Sequence, residues 1–184
     1  MSQAVDEKTA GSHDPANSHP QVPGTSTTRV DFYVLSDNPG RARLTLACRI
    51  AEKAFAQAHK VYVYAASAAE AGQLDELLWT FRDTSFVPHV LADARIAPDG
   101  DELPPVLIGH REAPGEMGTF LISSEIRNVP ISLLINMSQD VPGFFDRFAR
   151  VAELVDAGEN HRRLGRERFR YYRDRGCTLE THRL

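Results

Sequence analysis

The sequence predicts an α/β fold, namely a single Rossmann-like three-layer domain with a mostly parallel sheet flanked by helices and no functional nucleotide site. Three observations predict it. Short β-branched and aromatic runs alternate with segments of helical periodicity, which is typical of layered folds with a parallel sheet. The length of 184 residues and the hydrophobic fraction of 42% suit one domain with a buried core. The glycine-rich phosphate motifs of nucleotide-binding folds are absent from the sequence.

We expect residues 1–28 to form a disordered N-terminal extension and residues 29–184 to form the folded domain. The segment Met1 to Thr28 is rich in Ser, Thr, Pro, Gly and Asp and has hardly any large apolar side chain. Such a segment buries too little apolar surface to offset the entropy lost on ordering. We assign no function to this extension.

The compartment expected from the sequence is the cytoplasm. No run approaches the ~18 consecutive apolar residues of a membrane-spanning helix, and the N-terminus lacks the apolar region of a signal peptide. The two cysteines, Cys48 and Cys177, are too few and too isolated for a disulfide framework.

The first half of the domain predicts strand, helix and strand in turn. "VDFYVL" (Val30 to Leu35) is typical of a buried strand, and "SDNPG" after it predicts a turn. From Leu44 to Ala58 apolar residues recur at three- and four-residue spacing, which predicts an amphipathic helix. "VYVYA" (Val61 to Ala65) predicts the second strand.

A second helix begins at a capping box, because Ser67 is followed three residues later by Glu70. Three leucines form its apolar face: Leu74, Leu77 and Leu78. It ends in "LLWTFRDTSFVPHVL", which predicts a loop and a short strand, since Pro88 favours extended backbone in the residue before it.

The second half predicts a surface loop, short strands and two closing helices. "ADARIAPDGDELPP" is rich in Pro, Gly and Asp and predicts a loop, and we assign no function to its part at 97–105, "APDGDELPP". "VLIG", "TFLIS" and "PISLLIN" are candidate strands, with a turn or break at 126–130. "PGFFDRFARVAELV" and "NHRRLGRERFRYYRDRG" predict helices, the last ending at Gly176.

We expect no catalysis, because the motifs of the common enzyme classes are missing. The turn after the first strand lies where a phosphate loop would lie, with Arg41 and Arg43 nearby, but GxxxxGK[ST] and GxGxxG are both absent. GxSxG is absent as well. His89 and His110 are interpreted as structural residues. We therefore expect neither cofactor nor metal.

The segment Arg162 to Gly176 differs in charge from the rest of the chain. It holds seven arginines and three aromatic residues in fifteen positions and carries a net +5, whereas the whole chain sums to −4. Any attraction of anions must therefore act through this one patch.

The arginines of this segment fall on one face of the predicted helix. At about 100° per residue, Arg162, Arg166, Arg170 and Arg173 lie within about a quarter turn, with Phe169 at the border. The opposite side, with Leu164, can pack against the domain.

Two explanations of this face remain open. A solvated helix accounts for Arg173 and Arg175, because positive charge near a helix C-terminus is favourable. It accounts poorly for Arg162, Arg163 and Arg166 near the N-terminus, and we therefore favour a bound anion. Composition alone leaves a phosphate backbone and an acidic peptide with an apolar end both possible.

The pieces "LDELLW", "SFVPH" and "RERFRYYR", in that order, resemble the chi subunit of the bacterial DNA polymerase III holoenzyme. The resemblance runs from about Val30 to the C-terminus. It implies a non-catalytic accessory protein of the clamp loader, with a nucleotide-binding-like fold that lacks the nucleotide site.

The resemblance implies that the basic helix binds the acidic, phenylalanine-terminated C-terminal tail of single-stranded DNA-binding protein (SSB). By position the tail-binding residues are Arg162, Arg166, Phe169 and Arg170, with Val155 on the preceding helix. The family tends to have lysine at 162 and 170 and tyrosine at 169, so here the charge is kept and the phenolic hydroxyl is not.

The resemblance also implies a second partner, the psi subunit, which connects chi to the clamp loader. By position the psi interface is formed by Trp79, Phe86, Val87 and Pro88. A helicase is an alternative partner of this surface in the family.

The alternative function is direct binding of single-stranded nucleic acid by the arginine face. The net negative charge of the remaining chain argues against it, because it would repel a nucleic acid outside this one patch.

Overall fold

The computed structural model describes residues 28–36, 41–84, 86–92, 104–110 and 132–184. The predicted strand "TFLIS", the turn at 126–130, most of the predicted loop and residues 1–27 of the extension lie outside these residues. Thr28 is buried, and its hydroxyl donates a hydrogen bond to the carbonyl of Phe148 at 2.8 Å.

The strands of the described residues form one seven-stranded sheet in the order β3-β4-β2-β5-β6-β1-β7, and every described pairing is parallel. The prediction of an α/β fold with a mostly parallel sheet is confirmed. The strands are β1 (Arg29–Val34), β2 (Val61–Tyr64), β3 (His89–Leu91), β4 (Val106–Gly109), β5 (Leu133–Asn136), β6 (Arg150–Val155) and β7 (Thr178–Arg183).

Helices cover both faces of this sheet. The helices are α1 (Arg41–Ala56), α2 (Ala68–Thr80) and α3 (Glu159–Asp174), with a short 3-10 helix at Phe145–Arg147. α1 and α2 pack on one face and α3 on the other. Alternate residues of a strand therefore enter different cores: Val61 and Val63 belong to the first, and Tyr62 between them to the second.

The capping box and the final glycine are confirmed. The amide of Glu70 donates to the Ser67 hydroxyl at 3.2 Å, and the amide of Ala66 donates to the Glu70 carboxylate at 2.7 Å. Gly176 has a φ of 76° and follows α3 directly, a conformation that glycine adopts without strain.

The prediction of a helix over "PGFFDRFARVAELV" is wrong. The segment contains the 3-10 helix and then β6, which lies between β5 and β1 in the sheet. Residues 151–155 are all buried. A strand covered on both faces shows no alternation of apolar and polar residues, so its pattern resembles that of a buried helix. The strand β7 follows Gly176, where no element was predicted.

A buried carboxylate joins β1 to both of its neighbours. Asp31 is fully buried and accepts hydrogen bonds from Arg29 at 3.0 Å, Arg150 at 2.5 Å and His182 at 3.1 Å. These donors lie on β1, β6 and β7. Burial by itself raises the pKa of Asp31, but the hydrogen bonds from His182, Arg150 and Arg29 outweigh it and lower the pKa below its ordinary value of 3.8.

Among the described residues, no helix is long and apolar enough to cross a membrane.

We predict that Asp31→Asn lowers the free energy of unfolding by about 1–3 kcal/mol at pH 7, because it removes the charge that Arg29 and Arg150 share and to which His182 is hydrogen-bonded. Since the pKa of Asp31 is lowered in the folded state, its contribution is complete above about pH 4 and is lost as the pH falls further. Urea unfolding of both proteins between pH 7 and pH 2 measures this. A difference that stays constant over the whole range would contradict the assignment.

Candidate functional site

A groove of about 500 Å³ opens between α3 and the carboxyl ends of β6, β1 and β7. Its apolar lining consists of Phe32, Val34, Leu35, Val155 and Phe169. Its polar lining consists of Arg162, Arg166, Arg183, Ser36 and Thr181, with the backbone of Gly165. The groove thus combines an apolar surface with three cationic side chains.

Four of the five residues predicted to bind the acidic tail line this groove together: Val155, Arg162, Arg166 and Phe169. The fifth, Arg170, is exposed on α3 outside the lining. Val155 was predicted on a helix, and the structure corrects this, because Val155 is the last residue of β6. It still reaches the groove, since β6 ends directly beneath the first half of α3.

Gly165 lets α3 lie close to the sheet, and sequence reasoning missed it. A Cβ at this position would lie 2.9 Å from Cγ2 of Val155 and 3.1 Å from its Cγ1. A larger residue would therefore push the helix away from β6. The available signal was a glycine inside a strongly helical pattern, which often marks a packing requirement.

The orientation of α3 is fixed by a buried ion pair. Arg168 donates from Nε to the Glu153 carboxylate at 2.8 Å and from Nη1 to the carbonyl of Gln139 at 2.8 Å. Glu153 is fully buried and also accepts from the Tyr172 hydroxyl at 2.7 Å and from the Asn136 amide at 2.9 Å. Burial, together with the neighbouring Glu153, raises the pKa of Tyr172, so its phenol stays protonated and donates.

The start of α3 is held by a second carboxylate, Asp156, which is buried just after β6. Asp156 accepts from the amide of Gly158 at 2.9 Å and forms a short hydrogen bond with His161. Negative charge at a helix N-terminus is favourable and compensates for the arginines nearby. On the same helix, the ring of Phe169 packs against Phe32 with centroids 5.2 Å apart.

Among the described residues, the arginines of the groove lack the acidic partners that some other arginines of this region have. Within the described part of the chain, Arg162, Arg166 and Arg183 form no ion pair. Some other arginines of this region are engaged: Arg163 pairs with Glu167, Arg173 pairs with Asp174, and the guanidinium carbon of Arg175, the residue after α3, lies 3.5 Å from the ring centroid of Tyr171. Arg170, which lies outside the groove, forms no ion pair within the described residues either. The positive charge of the groove is therefore available to an external anion.

The residues predicted for the second interface divide into surface and core. Trp79 and Phe86 are 53% and 65% exposed, with ring centroids 5.4 Å apart. Trp79 also packs on His89, with ring centroids 4.7 Å apart, and Pro88 is half-buried. Val87 is 1% exposed and packs in the core. Its side chain therefore offers almost no surface to a partner, and the assignment of Val87 to the second interface stays a prediction.

Two further places were considered for ligands. Donor atoms of Asp31, Glu180 and His182 lie within 4.8 Å of one another, as metal ligands would. Arg29 pairs with both carboxylates, and Arg150 also pairs with Asp31. The negative charge is thus already balanced, and we interpret this group as an ion-pair cluster.

The second place is the region of a phosphate loop after β1. Arg43, near the start of α1, pairs with Glu70 of α2 and donates to the carbonyl of Met137 at 3.2 Å. Arg43 is therefore engaged within the fold. Residues 37–40 lie outside the described residues.

The family model and the relatives that match this chain all carry the description of DNA polymerase III subunit chi. The family model for "DNA polymerase III chi subunit, HolC" matches residues 27–180. DNA polymerase III subunit chi of Pseudomonas aeruginosa is 41% identical over 157 residues, which cover 85% of this chain and 97% of that protein. The subunit of the same name from Escherichia coli is 31% identical, and the match covers 82% of this chain and 94% of that protein. The subunit from Haemophilus influenzae is 27% identical, and the match covers 83% of this chain and 95% of that protein.

We predict that Arg168→Met lowers the free energy of unfolding by about 3–5 kcal/mol, because it leaves the buried Glu153 without its cation. Chemical denaturation followed by circular dichroism measures the change. The matched control is Arg163→Met on the same helix, whose exposed pair with Glu167 contributes less than about 1 kcal/mol. Equal effects of the two substitutions would contradict the role given to the buried pair.

Proposed function

The chain belongs to the chi-subunit family of DNA polymerase III, and from this premise we propose that it is a non-catalytic adaptor of the clamp loader. In this role it bridges the psi subunit and the acidic C-terminal tail of SSB during DNA replication. The observation that carries the proposal is the groove at α3, which joins an apolar lining to arginines that have no acidic partner among the described residues.

The chemistry of the groove suits a peptide that ends in phenylalanine. The planar guanidinium of Arg162 or Arg166 can take a C-terminal carboxylate with two parallel hydrogen bonds. A phenyl ring set among Phe32, Val34 and Val155 would contribute about 1.5–3 kcal/mol through burial. Both features are needed to recognise a chain end of this composition, which is how short acidic motifs are commonly read.

Such a contact is weak when it is made once. We expect a dissociation constant on the order of micromolar. The affinity should fall as the salt concentration rises, because the ionic part of the contact is exposed to solvent. An oligomeric SSB presents several tails, and their multivalency strengthens the attachment without any new contact.

The aromatic residues of α3 favour a peptide over single-stranded nucleic acid. Nucleic-acid grooves use several exposed rings on which successive bases stack. Here Tyr172 is buried, Tyr171 is covered by Arg175, and Phe169 packs on Phe32. One apolar anchoring site remains, which is what a single terminal side chain requires.

The exposed pair of Trp79 and Phe86 is the surface that we assign to psi. Large exposed aromatic side chains are rare on free surfaces and are typical centres of protein interfaces. The pair lies next to β3, whereas the groove lies next to β7, at the other end of the sheet. Six strand spacings separate these edges, roughly 30 Å. Both partners can therefore bind at once. A helicase using the Trp79 surface would compete with psi.

The proposal places the protein in the bacterial cytoplasm with the replication machinery. Both cysteines, Cys48 and Cys177, are free and buried, as a reducing compartment allows. Burial raises the pKa of Cys48 to about 12, so its thiol stays protonated and unreactive.

We predict that a labelled SSB tail peptide binds in fluorescence anisotropy and that Arg166→Ala weakens it about tenfold or more, since a charge-assisted hydrogen bond to the carboxylate is lost. Deleting the terminal phenylalanine should abolish binding. Arg173→Ala is the matched control, because it removes the same charge outside the groove and should change affinity less than about threefold. Binding of single-stranded DNA in place of the peptide would support the alternative function.

We predict that Phe86→Ala reduces co-purification with a psi subunit, because truncation of a central aromatic at an interface commonly costs about 2 kcal/mol or more. Tail-peptide binding should be unchanged, as the groove lies at the opposite edge of the sheet. Loss of both activities together would indicate misfolding, and unchanged co-purification would contradict the assignment of this surface.

A further inference from the structure

We infer that Arg183 of β7 is a second anion-binding residue of the groove and reads an acidic side chain about three residues before the C-terminal residue of the bound peptide. This inference rests on the proposed function and specifies its ligand. The residue was not among those predicted from the sequence, and it lies on β7, the edge strand of the sheet.

The register of the sheet determines where Arg183 lies. Val155 of β6, Val34 of β1 and Arg183 of β7 form one row across three neighbouring strands. Side chains of such a row point to the same face of the sheet, and this is the face covered by α3. Gly165 of α3 rests on Val155 at one end of the row, and Arg183 stands at the other end.

The backbone around Arg183 is fixed although it follows the last helix. The amide of Leu184 donates to the carbonyl of Val34 at 3.0 Å, and the amide of Ser36 donates to the carbonyl of Leu184 at 2.9 Å. The Ser36 hydroxyl donates to the same carbonyl. The position of the guanidinium is therefore limited by its own side-chain torsions and not by a loose chain end.

The charge of Arg183 has no partner among the described residues, as for Arg162 and Arg166 on the helix side. Its strand neighbours are engaged: Glu180 pairs with Arg29, and His182 bonds to Asp31. These two side chains point to the other face of the sheet, because residues alternate along a strand. On the groove face, Arg183 stands beside Thr181 and the apolar lining.

The width of the groove sets the spacing of the two anions. Two strand spacings separate β6 from β7, roughly 10 Å. An extended peptide advances about 3.3 Å per residue, so about three residues span this distance. With the terminal carboxylate at Arg162 and Arg166, and the terminal ring on the apolar lining, an acidic side chain three residues upstream reaches Arg183.

Two matched peptides test the inference by fluorescence anisotropy. Both are acidic and end in phenylalanine, and they differ only three residues before the end, where one has aspartate and the other asparagine. We expect the wild-type protein to prefer the aspartate peptide about 3–10-fold, as for a partly exposed charge-assisted hydrogen bond. Arg183→Ala should abolish this preference, Arg166→Ala should weaken both peptides by the same factor, and the control Arg173→Ala should keep the preference.

The outcomes separate the inference from the proposed function. If Arg183→Ala has no effect, or weakens both peptides equally while Arg166→Ala still reduces binding, the inference is overturned and the proposed function stands. If the wild-type protein binds neither peptide, the proposed function fails and the inference with it. Thermal unfolding of Arg183→Ala, expected to match that of the wild type, confirms that a lost preference is not a folding defect.

Discussion

The position of α3 depends on one buried negative charge. The carboxylate of Glu153 lies in the middle of the sheet without access to water, and a charge in that place is tolerated only when it is paired and fully hydrogen-bonded. Arg168 and Tyr172, four residues apart on α3, supply most of that compensation. Because these two side chains must point at Glu153, the rotation of the helix about its axis is fixed, and Arg162 and Arg166 are directed to the groove.

The same interaction explains why an arginine-rich helix can belong to an acidic protein. The arginines of this helix have different partners. Arg168 neutralises Glu153, whereas Arg163 and Arg173 pair with acidic neighbours on the surface. The arginines of the groove have no acidic partner in the described part of the chain. Asp156 at the beginning of α3 offsets the unfavourable position of positive charge near the N-terminus of a helix. A run that looks uniform in sequence is thus divided by packing into structural and accessible charges.

Sequence reasoning predicted the family and the fold class correctly, and it predicted elements well where one side of the element remains polar. α1 and α2 were found from their periodicity, and β1 and β2 from their short β-branched and aromatic runs between turns. It failed for β6, because a strand buried on both faces has no alternation to detect. Val87 was assigned to the second interface from the family resemblance of "SFVPH", which does not tell that the Val87 side chain turns into the core. A glycine inside a helical pattern signals close packing in general, but only the fold shows that Gly165 packs on Val155. Arg183 lines the groove because the sheet register brings β7 beside β1, which no local pattern indicates.

The walls of the groove come from parts of the chain that are far apart. The lining comes from β1 and the residues just after it (Phe32, Val34, Leu35 and Ser36), from Val155 and α3, and from Thr181 and Arg183 of β7. Contacts between such distant segments close large loops and form slowly compared with local helices. The groove is thus a product of the completed sheet, and no single excised segment would retain it. We therefore expect a partly folded molecule that has α1, α2 and β2 in place, but has not yet brought β1, β6 and β7 together, to lack this groove.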